Sequence, residues 1–269
     1  MNDRAIRGRA KSGEYCILGN SATEPTWALW GDSHARSIAP AINFLGKENK
    51  KGVALFNLHS CPALLDVNTT FFPNGLCNTH NTTVLKKIIE SEKLKNIVIA
   101  SRYSMFINGT TFSGGAGQHA TALLQNINGS RVNFHERIDL FATSVRKLVF
   151  ELTSAGKIVF LIYPIPEAQV AVPRALATQA WHTGKTAEFH IPRREYQALN
   201  REILPVLDSL APQPPGQLQR IFPTEKLCND QFCTTVINGN VLYRDSNHLT
   251  ASAAELVISD LGQAMLDSE

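Results

Sequence analysis

Trp27-Ala28-Leu29-Trp30-Gly31-Asp32-Ser33-His34 is the stretch on which the fold turns. Thr26 to Trp30 is short and apolar and stops at Gly31, as a buried strand does. Ser33 to Asn49 then places Ile38, Ala41, Ile42 and Leu45 at helical spacing. A strand that runs through a glycine turn into a helix puts Asp32, Ser33 and His34 at the carboxyl end of that strand. In open α/β sheets, reacting groups collect at that end.

The same alternation continues along the chain. Val53 to Leu58, Ile97 to Ser101, Ile158 to Tyr163 and Arg220 to Pro223 read as further strands. Between and after them, Thr82 to Leu94, His135 to Ala155, Tyr196 to Leu210 and Thr250 to Leu266 read as helices, with Thr250 as a cap. Residues 1–25 read as an irregular lead-in and 59–80 as a loop containing Pro62, Pro73 and Gly75. Residues 106–133, rich in Gly, Asn, Ser and Thr, read as a long excursion. Residues 167–195 read as a short helix and a mobile loop carrying Trp181, His182 and His190. Strands alternating with helices predict an α/β domain whose parallel sheet is covered on both faces. No internal repeat and no domain boundary is visible, so residues 26–269 are expected to form one decorated domain.

Composition narrows the function. At 43% hydrophobic and 18% charged residues, the 269-residue chain is ordinary and globular rather than disordered. The net charge of +3 is scattered, apart from the basic run Arg4 to Lys11. That run reads as a solvated end or a tether near a membrane surface, not as a nucleic-acid site. No window approaches the roughly 18 apolar residues of a membrane span. The first twenty residues lack the apolar stretch of a signal peptide. The piece is therefore expected to be soluble as it stands.

The five cysteines are Cys16, Cys61, Cys77, Cys228 and Cys233. Their spacings do not match a zinc knuckle. Two local disulfides, Cys61–Cys77 and Cys228–Cys233, with Cys16 left over, imply an oxidising compartment. Buried free thiols in a cytosolic protein are the alternative.

Asp245-Ser246-Asn247-His248 lies near the other end of the chain. With Ser33 it completes the residue types of a nucleophilic triad, in the order Ser…Asp…His. In those roles His248 takes the Ser33 proton and Asp245 orients the imidazole. Backbone N–H groups at the helix start stabilise an oxyanion. Gly-Asp-Ser alone is ordinary turn chemistry, and Asp245 alone is an ordinary helix cap. Together, and in this order, they specify a site. Asp32, His34, Asp245 and His248 are all possible metal ligands, but the further motifs of a binuclear centre are missing, so no metal is expected. His59, His80, His119, His135, His182 and His190 read as surface or loop histidines. The sequons at Asn68, Asn81, Asn108 and Asn128 fall in turn-rich stretches and carry little weight.

Gly31-Asp32-Ser33 after the first strand, with Asp245 and His248 three apart near the C-terminus, resembles the SGNH (GDSL-like) hydrolase superfamily. The likeness narrows further. Cys16-x-Leu18-Gly19, Leu29 to Ala35, Ser60-Cys61-Pro62, Leu227-Cys228…Cys233 and Tyr243 to Thr250 together resemble the SGNH domain fused C-terminally to bacterial acyltransferase-3 membrane proteins. That resemblance spans about residues 16–260 and implies a three-layer α/β/α, flavodoxin-like fold with insertions near 106–133 and 167–195. It implies a periplasmic domain, on the outer side of the inner membrane, that passes an acetyl group through an acyl-serine to a sugar hydroxyl. The sugar belongs to a surface polysaccharide such as the lipopolysaccharide O-antigen. Residues 1–25 become the link to an upstream membrane domain. No cofactor is bound, because the acetyl donor, acetyl-CoA, is used by the membrane domain. A carbohydrate esterase and a catalytically silent glycan-binding module are the alternatives.

The chain departs from the wider superfamily at the oxyanion positions. The second strand ends without the expected glycine, near His59, Ser60 and Cys61. The third ends Ala100-Ser101-Arg102-Tyr103 without the expected asparagine. Ser60, Cys61, Ser101 and Arg102 are therefore the candidate oxyanion or substrate-binding residues. Arg102 is expected either to donate to an oxyanion or a sugar hydroxyl, or to pair with a surface acid.

Overall fold

The computed structural model describes residues 8, 11–72, 74–109, 122–184 and 188–267. The first part of the chain runs β1 (Cys16–Gly19), β2 (Trp27–Gly31), α1 (Ser33–Glu48), β3 (Gly52–Asn57), β4 (Val67–Thr69), α2 (Leu76–Glu90) and β5 (Asn96–Ala100). The middle runs α3 (Tyr103–Asn108), β6 (Leu124–Asn126), α4 (Phe134–Ser154), β7 (Ile158–Ile162), α5 (Val172–Thr183), β8 (His190–Pro192), α6 (Arg193–Leu199) and α7 (Leu204–Asp208). Then follow β9 (Leu218–Ile221), α8 (Pro223–Leu227), β10 (Phe232–Thr234), β11 (Val236–Ile237), β12 (Asn240–Val241), α9 (Ala251–Val257) and α10 (Leu261–Asp267).

The main sheet has the order β1-β3-β2-β5-β7-β9. Strands β3, β2, β5, β7 and β9 are parallel, and β1 closes the β3 edge antiparallel. Numbered by appearance, the five parallel strands run 2-1-3-4-5, the flavodoxin-like order, whose switch point lies between β2 and β5. Every residue of β2 and β5 is buried, because helices cover both faces. Ala28, Trp30, Phe56, Ile97 and Ile99 face one core with Val84 and Ile88 of α2 and Phe141 and Leu148 of α4. Trp27, Leu29, Leu55 and Val98 face the other, with Ile38 and Ile42 of α1, Val257 of α9 and Met265 of α10. The chain is thus the three-layer α/β/α domain expected from its alternation.

Several boundaries differ from the sequence reading. Residues 16–19 of the lead-in form an edge strand, pairing Cys16 with Leu55 and Gly19 with Gly52. Helix α2 starts at Leu76, before Thr82, behind Gly75 in the left-handed region (φ 74°). Its first turn is anchored there by the Cys61–Cys77 disulfide. Stretch 59–80 also holds β4, which pairs antiparallel with β6 from the 106–133 excursion. The rest of that excursion, 110–121 with His119, lies outside the described residues. Stretch 167–195 carries α5, β8 and the start of α6, with 185–187 outside the description. The helix expected at 196–210 divides into α6 and α7, because Pro205 has no N–H to continue the ladder. The last helix divides at Ile258, and Thr250 caps its first half by accepting from Ala253 N–H. No described helix is long and apolar enough to cross a membrane. Cys228–Cys233 is the second disulfide, and Cys16 is free and exposed.

Candidate active site

The turn from β2 into α1 is held by both neighbouring strands. Gly31 has φ 155°, and a Cβ there would lie 1.9 Å from the Ala100 carbonyl oxygen, so only glycine lets β2 pass the end of β5. Asp32 caps α1: its Oδ1 accepts from His34 N–H at 2.8 Å. Its Oδ2 accepts from Arg102 N–H at 2.9 Å, which ties the cap to the end of β5. From the other side, Asn57 at the end of β3 donates from Nδ2 to the carbonyls of Gly31 and Asp32. Burial pushes the Asp32 carboxyl up to about 6, against the two backbone N–H groups that favour its charge. Asn57 was missed in the sequence. Its signal is an amide directly after an apolar run, in register with Gly31.

This turn presents Ser33 to the loop before α9. Ser33 Oγ lies 2.8 Å from His248 Nε2, and His248 Nδ1 lies 2.7 Å from Asp245 Oδ2. The other carboxylate oxygen, Oδ1, accepts from the N–H groups of Asn247 and His248, each at 2.9 Å. Burial by itself would raise the Asp245 carboxyl. The hydrogen bonds from the His248 ring and these two N–H groups instead hold it well below the usual carboxylate range. A charged carboxylate at Nδ1 assigns the imidazole proton to that nitrogen, which leaves Nε2 to accept from the Ser33 hydroxyl.

His34 and Asn247 form a second layer behind this series. His34 Nε2 lies 3.2 Å from Asn247 Oδ1, and the His34 ring stands edge-on to His248 with centroids 5.5 Å apart. Burial first, then the neighbouring His248 ring and the Arg102 charge, lower the His34 pKa, so the His34 ring is neutral. Among the described residues, no group of three or more His, Cys, Asp or Glu side chains is placed to hold a metal ion.

The four candidate oxyanion residues are differently placed. Cys61 N–H donates to Leu58 carbonyl at 3.2 Å, and its sulfur is in the disulfide. Ser101 Oγ accepts from Ala63 N–H at 3.1 Å. Ser60 sits in the left-handed region, φ 56°, and its carbonyl accepts from Thr69 Oγ1. For Arg102 the expectation needs correcting. Its Nε and Nη2 both donate to Glu167 Oε2, and its Nη1 lies on Met105 Sδ. The acid is not on the surface, since the two side chains are only 7% and 4% exposed. The guanidinium is therefore committed to Glu167, an acid 65 residues away for which the sequence offers no local signal.

The family described as "SGNH domain (fused to AT3 domains)" matches residues 2–263. No curated protein sequence matches the chain. Among solved structures, it is similar to the Salmonella ser. Paratyphi A lipopolysaccharide acetyltransferase periplasmic domain, at 14% identity and a TM-score of 0.62. The superposition covers 99% of this chain and 90% of that one. At this identity the likeness is one of fold.

Proposed function

The chain belongs to the family of SGNH domains fused to AT3 domains, and from that premise we propose that it is an O-acetyltransferase domain acting on a polysaccharide. In this reading Ser33 Oγ attacks the carbonyl carbon of an acetyl donor while His248 Nε2 takes its proton. The tetrahedral intermediate collapses, the leaving group departs with the proton from His248, and Ser33 is left acetylated. A sugar hydroxyl then attacks the acyl-serine, His248 accepts its proton, and Ser33 is restored with the acetyl group on the sugar. Asp245 keeps the imidazole in the right tautomer and stabilises its charged form. The N–H groups of Ser33 and Ser60 are the proposed oxyanion donors.

The observation that supports this reading most is the continuous hydrogen-bonded series Ser33–His248–Asp245, at 2.8 and 2.7 Å. The acetyl donor is supplied by an upstream membrane domain that uses acetyl-CoA, and the acceptor is a surface glycan such as lipopolysaccharide O-antigen. The proposed location is the periplasmic side of the inner membrane, consistent with two disulfides. With water as the acceptor, the same steps hydrolyse small acetyl esters, and this gives the assay.

A fluorophosphonate should label Ser33, and Ser33→Ala should abolish both labelling and p-nitrophenyl acetate turnover. His248→Ala and Asp245→Asn are expected to lower turnover by about 10³–10⁴-fold with the fold retained. Wild-type labelling of Ser33→Ala would refute the acyl-serine route.

A further inference from the structure

We propose that Glu167 is a positioning residue. By gripping Arg102 it clamps the Ser33 side of the site to the His248 side. The inference rests on the acyl-serine reading above.

The two halves come from opposite ends of the chain, and Ser33 and His248 are 215 residues apart. One half is the β2–α1 turn, whose Asp32 cap accepts from Arg102 N–H. The other is the Asp245–His248 loop. The residue after Glu167 donates to that loop, Ala168 N–H to Ser246 carbonyl at 2.7 Å. A few residues on, Val172 N–H donates to Asp245 carbonyl at 3.3 Å. Between these contacts stands the side-chain pair itself. Glu167 Oε2 accepts from both Nε and Nη2 of Arg102, and Oε1 accepts from Ser104 Oγ at the start of α3. Thus a single carboxylate fixes the end of β5, through Arg102 and Ser104, to the segment after β7 whose N–H groups hold the acid–base loop.

Energetics argue that this pair is kept for placement. Two desolvated charges are a poor source of net stability, and apolar replacement of such a pair is often neutral or better. The pair is however charge-assisted, with two guanidinium N–H groups converging on Glu167 Oε2 while Ser104 holds Oε1, so the carboxylate's orientation as well as its distance is fixed. Proton transfer between Ser33 and His248 depends on a separation near 2.8 Å. A misplacement of about 1 Å costs about 10²-fold in rate.

The test separates placement from stability. In p-nitrophenyl acetate hydrolysis by the whole chain, Ser33→Ala comes first: if it turns over like wild type, the acyl-serine reading fails and the clamp fails with it. With Ser33→Ala silent, the double variant Arg102→Met/Glu167→Gln removes both charges while leaving Ser104 an acceptor. The expected result is a melting temperature close to wild type, unchanged KM and kcat reduced about tenfold or more. A kcat within about twofold of wild type in that folded variant overturns the proposal. If the double variant does not fold, Glu167→Asp decides, because it keeps the charge and shortens the reach. A fall in kcat at constant KM and melting temperature supports the clamp, and wild-type kcat overturns it.

Discussion

Two carboxylates in the site respond to pH with opposite sign. The Asp32 carboxyl is raised from 3.8 to about 6 by burial. Between those values the folded chain keeps a proton that the unfolded chain has released, so stability falls as pH rises through the interval. Asp245 is held below its ordinary range, so its contribution is present above its unfolded pKa and is lost as pH falls below it. Asp32→Asn should therefore erase the part of the pH–stability profile between about 4 and 6. The melting-temperature difference between wild type and this variant should change across that interval and be flat above it. A constant difference across the whole range would contradict the burial argument. Gly31→Ala is a steric case. Its Cβ would meet backbone, the Ala100 carbonyl, at 1.9 Å. A loss of about 3 kcal/mol or more is expected in urea unfolding.

The elements that were legible in the sequence are those whose burial is one-dimensional. Strands β2, β3, β5 and β7 are near-continuous apolar runs, and α1 and α4 carry a single apolar face. Strands β1, β4, β6 and β8 were not legible. They are three or four residues long, partly polar (Val67-Asn68-Thr69 and Leu124-Gln125-Asn126), and exist only through distant partners. The same reason divides the site. Ser33, Asp245 and His248 announce themselves through local motifs, whereas Asn57 and Glu167 act through backbone carbonyls and a guanidinium far away in sequence. At this scale the Cys61–Cys77 disulfide closes a 16-residue separation across a loop and pins the first turn of α2. Replacing both cysteines by alanine should lower unfolding free energy by about 3 kcal/mol. Equal denaturation midpoints for the two proteins would show that packing alone holds that loop.

For the molecule as a whole, the antiparallel β1 strand decides where the sheet ends. It covers the β3 edge, so residues 16–19 are part of the fold and not merely a lead-in. Deleting residues 1–20 would bare the N–H and C=O row of a buried parallel strand. That truncation is expected to self-associate, as seen by light scattering at concentrations where the full chain stays monodisperse; a dispersed, equally stable truncation would count against this role for β1. The 215-residue interval between Ser33 and His248 also has a consequence in time. A ribosome makes the hydroxyl 215 residues before its imidazole partner. A nascent chain that has not yet reached His248 therefore carries Ser33 without the imidazole that later lies against its hydroxyl. The paired geometry waits until the Asp245–His248 loop has been made, and cleavage before that loop would undo the pairing without touching the serine.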